Sequence, residues 1–503
     1  MRKIYFLLAA LFMLMPFNLL SQDGNPDTSF GGNGTVQTDL SNGGSDLAFS
    51  IAQAPDGKLL VAGGIDIGDF IFHPAIVQYN SNGELTQSFG NDGILSRDYG
   101  SGFDFYTHVG AQTDGKVIAG GSIGQFGNKD VILSRYLPNG NLDSSFGNNG
   151  DLIVFDGNIE SSVFKLLDDD SFLIANPINN GSTTVIHLKK HLPDGTLDVS
   201  FGDSGTVLVE NGEQSDAIFF MELMANGNIV IAARIQWSGS YLNSLMRLLP
   251  DGSKDTSFGT NGAAIITQFP DYTLQSLALY DDGQIALLQN LYTANPDTFH
   301  TRITRYTANG SFDGSFGAGQ GFIDPDIVNL AAQTLIVQPN QRLLLYGELT
   351  DFFEGGGNTF IRRYFNNGSI DSTLNVSTVL NSEYFAEEMI LQDDGKIVCM
   401  GVSAWYNGPE DFVIERYNNT PLSVTDIESG SLIAFPNPTQ NKVTITYNLV
   451  ENSIAPFQIN DVSGKVLMEG NLTGNEATID LSRLQSGLYF LNSANTTLRL
   501  IKE

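Results

Sequence analysis

Gly140-Asn141-Leu142-Asp143-Ser144-Ser145-Phe146-Gly147 decides how the rest of the chain is read. Its last three residues recur at Ser29-Phe30-Gly31, Ser88-Phe89-Gly90, Ser200-Phe201-Gly202, Ser257-Phe258-Gly259 and Ser315-Phe316-Gly317. A worn seventh copy stands at Ser372-Thr373-Leu374, so the motif returns about every 57 residues. A fixed period of that length marks a repeat architecture, in which each unit buries its faces against its neighbours.

Other features keep the same phase. Some 25 residues after each Phe comes a turn, such as Pro55-Asp56-Gly57, Asp114-Gly115, Asn226-Gly227, Asp282-Gly283 or Asp394-Gly395; near Asp169 and Asn340 it is degenerate. Asn-Gly and Asp-Gly tolerate positive φ and favour tight hairpins. A short β-prone run follows, then a strand ending in a basic-aromatic pair (Arg135-Tyr136, Arg305-Tyr306, Arg363-Tyr364, Arg416-Tyr417). A second turn, such as Asn139-Gly140 or Asp251-Gly252, leads to the next Ser-Phe-Gly. In the second copy the spacing predicts strands near Ile94–Arg97, Tyr106–Gln112, Lys116–Gly120 and Val131–Tyr136. No segment holds an amphipathic helical period over three turns.

Four short strands repeated seven times predict an all-β chain with a seven-bladed β-propeller-like domain over residues 22–418. The N-terminal Gly24-Asn25-Pro26-Asp27-Thr28-Ser29-Phe30-Gly31 matches the tail of a repeat, and the seventh copy stops after Arg416-Tyr417 without one. The first residues are therefore expected to complete the last blade, which removes exposed sheet edges.

Phe30, Phe89, Phe146, Phe201, Phe258 and Phe316 read as core anchors, one per blade. An Asp stands two places before the Ser in most copies (Asp27, Asp143, Asp198, Asp255, Asp313, Asp371), with Thr86 in its place in the second. A carboxylate there fixes the turn by accepting backbone N–H bonds. Calcium ligation is the sharper alternative, but a hard cation wants several oxygens together. The nearest run, Asp168-Asp169-Asp170, is off-pattern. For the Arg-Tyr pairs, a period of two predicts one side chain packed inward and the other a surface charge.

The 503 residues carry 56 acidic and 25 basic side chains, a formal net charge of −31. That argues against nucleic acid, whose phosphates need Lys and Arg, and fits a solvated exterior. The single cysteine, Cys399, lies in an apolar run, so no intramolecular disulfide forms. The five histidines lack metal-ligand spacing. No nucleophile elbow, zinc helix or phosphate loop stands in a useful context. No cofactor is expected.

Residues 1–21 read as a signal peptide: Arg2 and Lys3, an uncharged apolar run, and cleavage between Ser21 and Gln22. No later segment is long and apolar enough to span a bilayer.

The D-x-S-F-G, D-G-K and R-Y-x-x-x-G elements over residues 25–417 resemble delta-60 repeats, tandem units of exported bacterial proteins. The resemblance implies a propeller-like fold and brings no defined activity. Residues 419–431 read as a linker, and 432–503 as a small Ig-like β-sandwich. There Phe435-Pro436-Asn437-Pro438, Asp461-Val462-Ser463-Gly464-Lys465-Val466, Ile479-Asp480-Leu481-Ser482-Arg483-Leu484 and Gly487-Leu488-Tyr489-Phe490 occur in order. They resemble the type A C-terminal sorting domain of the type IX (Por) secretion system. Pro436, Asn437, Pro438, Gly464, Lys465, Gly487 and Tyr489 carry that likeness. It implies the type IX machinery as partner and a secreted or surface location. The functional expectation is a non-enzymatic binding or scaffold protein for an extracellular glycan or protein. A secreted enzyme acting on polysaccharide and an adhesive surface-layer protein are the alternatives. The places where copies diverge, the Trp237–Tyr241 stretch, Trp405-Tyr406 and Phe352-Phe353-Glu354, are candidate ligand loops.

Overall fold

A computed structural model describes residues 23–419 and 433–502, apart from short connecting stretches within them. The expected signal peptide with Ser21 and Gln22, most of the linker, Pro436, Gly464, Phe352-Phe353-Glu354 and Trp405-Tyr406 lie outside the described residues. The chain divides into two compact units, Met1–Pro421 and Leu422–Glu503.

The first unit is a β-propeller. Five of its sheets have four antiparallel strands, joined in chain order. One of them, for example, is Phe105–Ala111, Val117–Gln125, Asn128–Tyr136 and Asp151–Phe155, whereas Ile94–Ser96, expected to begin this copy, pairs with Phe72–Tyr79 and closes the preceding sheet. The central strands run longer than the sequence predicts, to Gln125 in one and from Asn128 in the other. A further sheet of eight strands holds two such sets, joined by the pair Gly357 and Tyr384. Divided there, the described strands make seven sets, called blades below and numbered from the one that begins at Asp46. Their first strands touch in a closed circuit: Asp46–Gln53 packs on Phe105–Ala111, and so on to Tyr384–Leu391, which returns to Asp46–Gln53.

The last blade is completed by the N-terminus. Thr35–Thr38 pairs antiparallel with Phe412–Glu415. The repeat motif bridges the same seam: Arg416 Nε donates to Asp27 Oδ2 at 2.8 Å and Arg416 Nη2 to Ser29 Oγ at 3.1 Å.

Each residue of Ser-Phe-Gly has a separate task. The Ser N–H and hydroxyl both bond the Asp two residues earlier, at 3.0 and 2.7 Å for Ser29 on Asp27. Phe30, Phe89, Phe146, Phe201, Phe258 and Phe316 are buried, and Leu374 is buried in the seventh place. The Gly takes positive φ, 52° at Gly147 and 60° at Gly317. A Cβ there would lie 2.3 Å from Asp151 O and 1.9 Å from Phe322 O, so no larger residue fits. Its N–H reaches the next blade: Gly90 N donates to Asn139 O at 2.9 Å and Gly259 N to Asn309 O at 2.8 Å.

The Arg-Tyr pairs correct the sequence reading. Arg135, Arg247, Arg305, Arg363 and Arg416 are all buried, and so are Tyr79, Tyr136, Tyr306, Tyr364 and Tyr417. Both faces of a blade are covered by neighbours, so alternation does not separate a wet face from a dry one. Each Arg pairs with the motif Asp of its blade, Nε to Oδ2, at 2.9, 2.7, 2.7, 2.6 and 2.8 Å. The guanidinium lies over the motif Phe, 4.6 Å from the ring centre for Arg247 on Phe258. It also reaches the next blade, as Arg416 Nη1 does to Ser81 O at 2.7 Å. In the third blade Lys190 takes the role, 3.3 Å from Asp198. In the first blade both charges are absent together: Gln78 and Thr86 hold these places, and Thr86 N donates to Gln78 O at 2.9 Å.

The second unit is a two-sheet sandwich. Ile433–Phe435, Lys442–Thr446 and Glu476–Asp480 form one sheet; Val466–Thr473, Ile454–Asp461, Gly487–Ser493 and Thr496–Lys502 form the other. Val443, Ile445, Ile459, Leu481, Leu491 and Leu500 fill its core.

Candidate functional site: the channel and its variable end

The two ends of the propeller differ. At one end every hairpin between first and second strands has five residues: 54–58, 112–116, 167–171, 224–228, 280–284, 338–342 and 392–396. The two turns that look degenerate in sequence keep this form, with Asp170 and Gln341 left-handed at φ 65° and 66° where other copies have Gly. At the other end the number of residues between the second and third strands varies: two in three blades (126–127, 238–239, 295–296), and four, five, six and eight in the others (180–183, 67–71, 351–356, 404–411). The repeated motif belongs to the constant end. Tyr241 and Phe103, toward this variable end, are exposed.

The first strands of five blades line a cavity of about 550 Å³. Six first strands carry a β-bulge at the same step, displacing Phe49, Thr107, Phe219, Gln275, Gln333 and Glu387 from the ladder. A bulge re-aims a side chain and sharpens the bend of its strand. The step lies toward the variable end, since Ala48 pairs Gly63 close to the hairpin at 67–71.

One residue further on, side chains staple adjacent blades. Ile51 N donates to Glu388 Oε2 at 2.8 Å, Leu335 N to Ser276 Oγ at 3.1 Å, and His108 Nε2 lies 2.9 Å from Ser162 O. Deeper still, Lys165 and Glu222 form an ion pair at 2.5 Å. Glu348 Oε2 accepts the Ala386 N–H at 2.8 Å. Burial pushes the carboxyls of Glu348 and Glu388 up to about 7. Burial, then the charges of Glu348 and Glu388, do the same for Glu387. Burial lowers His108. Glu387 is the most exposed of these carboxyls.

The acidic residues of the motif are occupied. Burial pushes Asp27 up, but the Ser29 bonds and the Lys396 and Arg416 charges outweigh it and hold it at about 2. In Asp168-Asp169-Asp170, Asp169 accepts from Ser171, and Asp170 takes the Thr113 N–H at 2.7 Å and its hydroxyl at 2.5 Å. The described sorting residues belong to the second unit. Asn437 precedes a cis peptide to Pro438. Its side chain braces the final strand, donating to Arg499 O at 2.7 Å and accepting from Ile501 N at 2.8 Å. Lys465 N donates to Asp461 Oδ1 at 3.1 Å. Tyr489, on the strand that Gly487 opens, donates to Gln485 O at 2.7 Å.

Residues 433–503 match the secretion system C-terminal sorting domain. Residues 54–89, 112–146, 225–258 and 392–420 match a domain of unknown function (DUF5122) beta-propeller. The first unit therefore carries DUF5122 β-propeller repeats, and the second a sorting domain. The tail indicates export by type IX secretion to the cell surface or the extracellular space. Among the described residues no helix is long and apolar enough to cross a membrane. No curated protein matches the chain. Solved structures similar to this chain include PorZ, a surface component of the type-IX secretion system of Porphyromonas gingivalis, at 12% identity and TM-score 0.35, covering 90% of this chain and 59% of that one. The polysaccharide lyase Uly1 aligns at 10% identity and TM-score 0.47, over 74% and 89% of the two chains. The β-propeller domain of the Trilobed protease from Pyrococcus furiosus aligns at 9% and 0.42, over 76% and 98%.

Proposed function

We propose that this is a non-enzymatic binding protein, exported by its sorting tail, whose propeller takes an extracellular glycan at the variable end of the channel. The observation that carries the reading is the contrast between the ends. Seven hairpins of one length hold the constant end, where the motif's Arg and Asp side chains are consumed by packing. At the variable end the second and third strands are separated by two to eight residues, and binding surfaces concentrate on variable connections over a rigid scaffold. The channel lining does not repeat either. Phe49 and Phe219 offer ring faces near the Glu387 carboxylate and the Lys165–Glu222 pair. Ring faces beside a few polar groups suit a sugar, which presents apolar C–H faces and hydroxyl edges.

One observation favours the enzyme reading. Glu387 is exposed, with its carboxyl raised to about 7, the state of a general acid. Glycoside hydrolysis uses two carboxyls, however, and the neighbouring Glu388 is bonded to the Ile51 N–H. A glycan array and a polysaccharide-degradation screen on the mature protein separate the readings. Array binding lost in Phe49→Ala, with no degradation, supports the proposal. Degradation abolished by Glu387→Gln replaces it with the enzyme reading. Silence in both points to an adhesive or structural role.

A further inference from the structure

The seam that closes the ring carries a cluster of carboxylates outside the repeat pattern. Asp39 follows the closing strand, Asp46 opens the first strand of the first blade, and Asp411 stands just before Phe412–Tyr417 of the last. Oxygens of the three lie within 4.8 Å of one another. Asp46 is fully buried. Its Oδ2 accepts the N–H groups of Leu40 at 2.7 Å and Ser41 at 3.1 Å. Its Oδ1 is buried with no hydrogen-bond partner, and so is Ser41 Oγ in the same loop. A buried carboxylate oxygen without a partner costs free energy that a ligand would recover.

The other two carboxylates are each positioned through one oxygen. Gln37 Nε2 donates to Asp411 Oδ2 at 2.7 Å, and Gly43 N to Asp39 Oδ1 at 3.2 Å. The cluster is strained by its own charge: burial, then the Asp39 charge, raises Asp411. Burial raises Asp46 to about 6 despite the N–H bonds it accepts. Three carboxylates with a fourth oxygen nearby are the donor set of a hard divalent cation, completed by backbone carbonyls and water.

We propose that Asp39, Asp46 and Asp411 form a calcium-class cation site that fastens the closing strand to the first and last blades. The site joins residues far apart in the chain, so the bound ion favours the closed ring over any opened form.

The test uses the mature full chain, stripped with chelator and then titrated with calcium chloride by calorimetry and in thermal unfolding. One saturable site is expected, with a midpoint rise of about 3–6 °C at a hundred times Kd. Asp39→Asn and Asp411→Asn are each expected to weaken calcium at least tenfold while leaving the calcium-free midpoint level or higher, because they relieve repulsion. Asp46→Asn disturbs the fold through its backbone bonds, so the first two variants carry the decision. No calcium-dependent shift in the parent protein overturns the proposal. A shift that survives in both variants also overturns it, since the ion then binds elsewhere on this acidic surface.

Discussion

Replacing Arg305 and Asp313 with the residues of the first blade tests what the buried pairs do. Arg305 Nε meets Asp313 Oδ2 at 2.7 Å, both side chains are buried, and Arg305 also reaches Asn366 O at 2.5 Å in the next blade. The first blade does without either charge, using Gln78 and Thr86. Arg305→Gln leaves the Asp313 carboxylate buried with only its Ser315 bonds, and Asp313→Thr leaves a buried guanidinium without its anion. Each single change is expected to cost about 3–5 kcal/mol. The double change removes both charges at once and is expected to cost no more than either single, a non-additivity of at least about 2 kcal/mol. Urea unfolding of the four proteins, followed by tryptophan fluorescence and circular dichroism, measures this if the slopes agree. Additive costs, with the double variant near the sum of the singles, would show that the charges act separately. The pairing account of the motif would then fail.

Phe258 is fully buried beneath Arg247, so Phe258→Ala is expected to cost about 3–5 kcal/mol. An unchanged thermal midpoint would remove its role as an anchor. Glu348 holds its proton more tightly folded than unfolded, with its carboxyl raised from 4.5 to about 7. Its contribution to stability is therefore full below pH 4.5 and is lost as pH rises through 7. Glu348→Gln should flatten the fall in stability across that window, and an unaltered slope counts against it. Deleting residues 23–38 strips the last blade of its outer strand, and light scattering should report association through the exposed edge; a monodisperse product speaks against the seam. Deleting residues 433–503 should hold the protein inside the cell envelope, and its continued appearance in the medium would mean the tail is an ordinary module.

Much of the architecture was legible because the motif residues act locally. Ser, Phe and Gly each meet a steric or hydrogen-bonding need fixed within a few positions, so they recur together in six copies and wear only in the seventh. The turns were legible for the same reason, even where Asp170 and Gln341 stand in for Gly. The burial of Arg135 and its counterparts was missed, because alternation along a strand does not tell whether a second sheet covers the outer face. A signal was present: where Arg gives way to Gln78, the Asp gives way to Thr86, as expected of partners. The channel was illegible. A bulge leaves no trace in the sequence, and the meeting of Lys165 with Glu222, or Glu388 with the Ile51 N–H, depends on which blades are neighbours. The seam carboxylates Asp39 and Asp411 were invisible for a related reason: only closure brings them together.

The position of that closure bears on how such a chain changes length over generations. The cut between the termini falls inside a blade, before its outer strand, not between blades. Any in-frame duplication or loss of one period within the repeats still leaves each inner Arg followed by an Asp-bearing tail, and leaves the last Arg to meet the tail at the N-terminal end. Gene-level gain or loss of units thus meets no special requirement at the ends. The limit comes from the circumference alone, since the inner strands must still meet around the axis.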